Sequence, residues 1–83
     1  MKNVIVYTSA FCPYCVRAKQ LLSSLDIPFK EQDLSVDPEL TASLVEKHNW
    51  KTVPMIFIGE DFVGGYDDLY KLHTSGELTS KLS

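Results

Sequence analysis

The stretch Tyr7-Thr8-Ser9-Ala10-Phe11-Cys12-Pro13-Tyr14-Cys15-Val16-Arg17 holds the only two cysteines of an 83-residue chain, separated by two residues. It joins a short apolar run, Val4-Ile5-Val6-Tyr7, to an amphipathic pattern. The run is β-branched or aromatic and reads as a buried strand. Beyond it, Ala18, Leu21, Leu22 and Leu25 recur at i, i+3, i+4 and i+7, one face of a helix. Pro13 has no backbone N–H to lose and suits the first turn of that helix. The reading is strand, loop from Thr8 to Phe11, helix, with Cys12 at the helix N-terminus and Cys15 one turn in.

Residues three apart on a helix share a face, so the two sulfurs can meet without moving the backbone. They are not equivalent. Cys12 faces the unpaired N–H groups and positive end of the helix dipole, which favour a thiolate. Cys15 is shielded by the loop and its own helix. Since the thiolate is the nucleophile, Cys12 is expected to attack first and Cys15 to resolve the product.

Working outward, Asp26-Ile27-Pro28 ends the helix and Phe29 to Leu34 reads as a second strand. Asp37 as N-cap and Pro38 at the first helical position open a second helix. Leu40, Leu44 and Val45 are expected to form its buried face up to about His48, with Asn49 as a stop. Val53-Pro54 precedes an apolar strand, Met55-Ile56-Phe57-Ile58. Gly59-Glu60-Asp61 then turns into Phe62-Val63-Gly64, giving a hairpin. After Gly64-Gly65, the acids Asp67 and Asp68 open a helix carrying Leu69 and Leu72, placed where its dipole favours them. Gly76 stops it, and Leu78 and Leu82 mark a last amphipathic turn. The order is β-α-β-α-β-β-α in a single domain, residues 1–83. A βαβ unit makes the first two strands parallel with a right-handed crossover. The expected fold class is therefore α/β, a mixed four-stranded sheet flanked by helices.

Composition narrows the function. At 45% hydrophobic and 23% charged, the chain is globular rather than disordered. A net charge of -3 offers no basic footprint for nucleic acid. The apolar start of the chain is too short for a signal peptide or a membrane span, so the expected location is cytoplasmic. In a reducing compartment, two close cysteines are catalytic or metal-binding rather than structural. The loop they would close is tiny and would constrain the unfolded chain little. A zinc site needs two further ligands, and His48 and His73 lack ligand-like spacing, so no metal site is expected. Each histidine is more simply a helix-end residue near a C-terminal dipole. A Cys-x-x-Cys beside a βαβ pattern instead points to thioredoxin-like redox chemistry.

Three motifs taken together resemble a known family. Cys12-Pro13-Tyr14-Cys15, then Thr52-Val53-Pro54, then Gly64-Gly65-Tyr66-Asp67-Asp68-Leu69 are similar, in order and spacing, to a dithiol glutaredoxin. The resemblance spans essentially the whole chain. It implies a thioredoxin fold with a cis peptide before Pro54, and a glutathione-dependent thiol–disulfide oxidoreductase with catalytic Cys12 and Cys15. No bound cofactor is implied; glutathione is the co-substrate. By position, Tyr14, Thr52 and Val53 would line the middle of glutathione, beside Pro54. Gly65, Tyr66 and Asp67 would hold its γ-glutamyl end. Of Asp67 and Asp68, one is expected to cap the helix and the other to bind ligand. Implied partners are glutathionylated and disulfide-containing proteins, with ribonucleotide reductase as a family expectation, and a monomer is expected.

Two positions depart from the family. Ser9 stands where many members carry a lysine that favours the thiolate and meets the glycyl carboxylate; Lys51 is the candidate to replace that contact. Tyr66 stands where a small residue is common; a phenol there would wall the groove, stack on substrate or stand as a surface aromatic. Two competing readings use the same cysteines. One is a carrier bridging a [2Fe–2S] cluster between subunits, which Pro13 disfavours by stiffening the loop. The other is a thioredoxin-like electron donor independent of glutathione.

Overall fold

The computed structural model describes residues 2–9, 12–48 and 52–82. The proposed stop at Asn49 and the proposed ligand contact of Lys51 lie outside them. The elements are β1 (Val4–Thr8), α1 (Pro13–Ser24), β2 (Lys30–Asp33), a 3-10 turn (Leu34–Val36), α2 (Pro38–His48), β3 (Met55–Ile58), β4 (Asp61–Gly64), α3 (Tyr66–Ser75) and α4 (Glu77–Leu82). The strand order is β2-β1-β3-β4. β1 pairs parallel with β2 and antiparallel with β3, and β3 pairs antiparallel with β4. This is the mixed sheet that the βαβ unit and the hairpin require.

Burial alternates along β1 because successive side chains point to opposite faces. Val4 and Val6, with Ile56 and Ile58 of β3, face one side. Ala18 and Leu22 of α1, Leu69 of α3 and Leu78 and Leu82 of α4 cover them. α1 and α3 also pack on each other. The last amphipathic turn is thus a short helix whose two leucines close the core. The other face is aromatic. Tyr7 meets Phe57 edge-on at 5.5 Å between centroids, and His48 lies 5.0 Å from Phe57 and 4.9 Å from Phe62. His48 ends α2, so the C-terminal end of that helix reaches this second face.

Two expectations are corrected. Leu40, Leu44 and Val45 are each only half-buried, and no residue of α2 is fully buried. α2 leans on the 3-10 turn, where Thr41 Oγ1 donates to Leu34 O at 2.9 Å, rather than lying flat across the strands. The second strand is shorter than Phe29–Leu34 and all four of its residues are exposed. It is an edge strand held by its ladder to β1, and Leu34 is buried only after the chain has turned.

The helix ends follow local chemistry. Asp37 accepts from the Leu40 N–H at 3.0 Å, the cap expected ahead of Pro38. Gly76 terminates α3 at φ 81°, a left-handed conformation glycine adopts without a Cβ penalty.

Candidate active site

Cys12 is the N-cap of α1, extended at φ -110° and ψ 102°, immediately before Pro13. This geometry aims its side chain back over the first turn. The Cys15 N–H donates to Cys12 Sγ at 3.2 Å, so an otherwise unpaired helix-terminal donor rests on the sulfur. The Cys12 thiol in turn donates to Val53 O at 3.5 Å. Val53 is 41 residues away in sequence and precedes Pro54 through a cis peptide bond. Both cysteines are free thiols; Cys12 is partly exposed and Cys15 is 2% exposed.

The two sulfurs therefore differ in environment as expected. Burial pushes the Cys15 thiol up to about 12, and the neighbouring Cys12 adds to the rise. Ser9 in the loop and the Lys19 ammonium act in the opposite direction. A partly exposed sulfur beside a helix terminus and a buried, reluctant one behind it can exchange a disulfide in a fixed order.

Of the predicted groove residues outside the Cys12–Cys15 turn, Val53 is the one in direct contact with Cys12 among the described residues. Val53 is half-buried with its carbonyl on Cys12, Thr52 is exposed beside it, and Pro54 is buried. Tyr14 is 52% exposed on the first turn of α1. Its ring lies 6.4 Å from that of Tyr66, the first residue of α3, and the Arg17 guanidinium sits over it, 5.2 Å from the ring centroid. Tyr66 thus joins the wall of the site through Tyr14. Gly65 caps α3, and its N–H donates to Asp68 Oδ2 at 3.0 Å. Asp68 is the capping acid, and Asp67 is exposed.

Two further side chains at the centre, Thr8 and Glu31, were not singled out from sequence, and Lys19, expected only to be nearby on the helix, joins them. A cleft of about 510 Å³ is lined by Thr8, Ser9, Cys12, Cys15, Lys19 and Glu31, among others. Lys19 Nζ and Thr8 Oγ1 both donate to Glu31 Oε2, at 2.9 and 3.0 Å. Lys19 and then Thr8 hold the Glu31 carboxyl below its usual range. The available signal was the strand pairing itself. Val6 pairs with Glu31 and Thr8 with Asp33, which makes Thr8 and Glu31 diagonal neighbours. A larger hollow of about 590 Å³, among Leu25, Ile27, His73, Gly76, Leu78 and Leu82, contains none of the predicted site residues.

Comparison with known proteins shows the family and the fold. The glutaredoxin family model matches residues 4–63. A glutaredoxin of Pseudomonas aeruginosa is 49% identical over 83 residues, covering 100% of this chain and 99% of that protein. Glutaredoxin 3 of Escherichia coli is 42% identical over 78 residues, covering 94% of each. Among solved structures, the glutaredoxin of Brucella melitensis superposes with a TM-score of 0.88 at 50% identity, covering 99% of this chain and 89% of that one. The buckwheat glutaredoxin–glutathione complex superposes with a TM-score of 0.91 at 28% identity, covering 98% and 76%.

Proposed function

We propose that this chain, which belongs to the glutaredoxin family and is a thiol–disulfide oxidoreductase, draws its electrons from glutathione through Cys12 and Cys15. The observation that carries the proposal is the placement of Cys12 Sγ between a helix-terminal N–H and the Val53 carbonyl. The first contact suits a nucleophilic sulfur. The second puts that sulfur beside an irregular backbone segment able to take an extended peptide by strand-like hydrogen bonds. A tripeptide thiol laid along Thr52-Val53 would bring its own sulfur to Cys12. Tyr14 and Tyr66 would flank it, and Gly65 and Asp67 at the head of α3 would meet its γ-glutamyl end. There the backbone N–H groups suit a carboxylate and the exposed Asp67 carboxylate suits an ammonium. The buckwheat relative in complex with glutathione supports this ligand.

In the reaction, the Cys12 thiolate attacks the glutathione sulfur of a mixed disulfide. The other thiol leaves as a thiolate and takes a proton. The Cys12–glutathione disulfide is then opened by a second glutathione, which departs as oxidised glutathione. With a protein disulfide, Cys12 forms a mixed disulfide with the protein and Cys15 attacks Cys12 Sγ to release it. Disulfide-containing and glutathionylated proteins in the cytoplasm, ribonucleotide reductase among them, are the proposed targets, met by a monomer.

A turnover assay with a small glutathione mixed disulfide and with a protein disulfide tests this. Cys12→Ser is expected to lose both activities. Cys15→Ser is expected to retain most turnover of the glutathione mixed disulfide and to lose the protein disulfide. Equal loss of both in Cys15→Ser would refute the assigned roles, and turnover without glutathione would refute the co-substrate.

A further inference from the structure

We propose that Lys19, braced by Glu31, is a positioning residue for the resolving thiol, its ammonium supplying the positive charge that the Cys15 sulfur needs when it attacks Cys12. The inference rests on the resolving role proposed above for Cys15.

Closing the intramolecular disulfide makes a specific demand. The Cys15 thiol gives its proton to water or a buffer base in the cleft. Its sulfur electron pair forms the bond to Cys12 Sγ. The bond from Cys12 to glutathione breaks, and its electron pair leaves on the glutathione sulfur. Cys15 is oxidised and the glutathione sulfur is reduced. The difficult part is the proton, because Cys15 is 2% exposed and its burial pushes the thiol up to about 12.

Lys19 answers that demand by its position. It lies four residues after Cys15 on α1, hence on the same face, and lines the cleft shared by both cysteines. The other cation of this helix, Arg17, is turned onto the Tyr14 ring. The ionisable groups around the Cys15 sulfur are Cys12 and Lys19 on α1 and Glu31 on β2. Among the described residues of the loop, the Ser9 backbone adds a hydrogen bond that also eases ionisation. Of these, Lys19 is the one charged group that eases ionisation of Cys15. A lysine left to itself spreads over many rotamers and carries its charge to bulk water. Here the 2.9 Å bond to Glu31 Oε2 fixes the ammonium, and Thr8, donating to the same oxygen, fixes Glu31. As a stabilising ion pair this contact is worth little, since the two side chains are 31% and 41% exposed. Its location beside the buried thiol gives it a different use.

The experiment mixes reduced protein with oxidised glutathione, quenches in acid, and follows decay of the Cys12–glutathione adduct by mass spectrometry. Lys19→Gln is expected to close more slowly than the parent. Removing the ammonium raises the Cys15 pKa and cuts its thiolate fraction, and the more basic sulfur regains only part of that loss in nucleophilicity. In a Cys12→Ser background, thiolate absorbance of Cys15 should appear at higher pH in Lys19→Gln, and Lys19→Arg should restore both readouts. Unchanged closure, unchanged ionisation, or an arginine variant no better than glutamine overturns the proposal. Loss of the adduct in Cys15→Ser as fast as in the parent would instead overturn the resolving role itself.

Discussion

Asp67 and Asp68 are adjacent and identical in chemistry, and they sit differently. Asp68 turns inward to accept the Gly65 N–H at 3.0 Å, while Asp67 is exposed at the head of α3. Substitution should therefore separate stability from binding. Asp68→Ala is expected to cost about 1 kcal/mol in urea unfolding, the usual cost of a lost cap. Asp67→Ala is expected to leave the unfolding midpoint in place and raise KM for glutathione. Sequence gave two acids in a first turn and no means of dividing them, because capping depends on which carboxylate reaches back to the N-cap. The group of Thr8, Lys19 and Glu31 was hidden for a similar reason. The residues come from a strand, a helix and a second strand, and only the parallel pairing of β1 and β2 brings them together. The Cys12 side was legible because a thiol, a proline and a helical stripe all lie in one short stretch.

At the scale of elements, the two ends of β4 and α3 place different demands on glycine. Gly64 sits at φ 122° where the sheet hands over to α3, and a Cβ there would come within 2.8 Å of Asp68 Cγ. Gly76 sits at φ 81° with nothing within 4 Å of a Cβ. Gly76→Ala should cost about 1 kcal/mol, the backbone penalty alone. Gly64→Ala should cost more, since it must also displace the capping acid; comparing the two unfolding midpoints checks this. Element boundaries were readable where a cap or a breaker marked them, as at Asp37-Pro38 and Gly76. Burial was less readable. The stripe Leu40, Leu44 and Val45 correctly lies on one side of α2, but periodicity does not say how closely that side approaches a sheet. In β2 the apolar residues flank the strand rather than occupy it, and backbone pairing carries an element whose side chains contribute no core.

The whole molecule depends on a small core on one face of the sheet. Leu22, Ile56 and Leu69 are fully buried within it, and full burial of such a side chain is worth about 1.5–3 kcal/mol. Leu22→Ala is expected to cost about 2–5 kcal/mol, a large part of a domain stability of about 5–15 kcal/mol. Val36→Ala, at a side chain 79% exposed, should change the urea midpoint within about 0.5 kcal/mol. The same core sets the site, because Ala18 and Leu22 anchor the helix whose N-cap is Cys12. That cap has a further consequence. A sulfur that accepts the Cys15 N–H at 3.2 Å is a latch for the first turn of α1, and during turnover its electron pair is drawn into a new bond. The latch is firmest when the sulfur is an anion and weakest when it is shared. Linkage runs both ways: whatever steadies that first turn also holds electrons on Cys12, so the fold and the redox state are read on one scale.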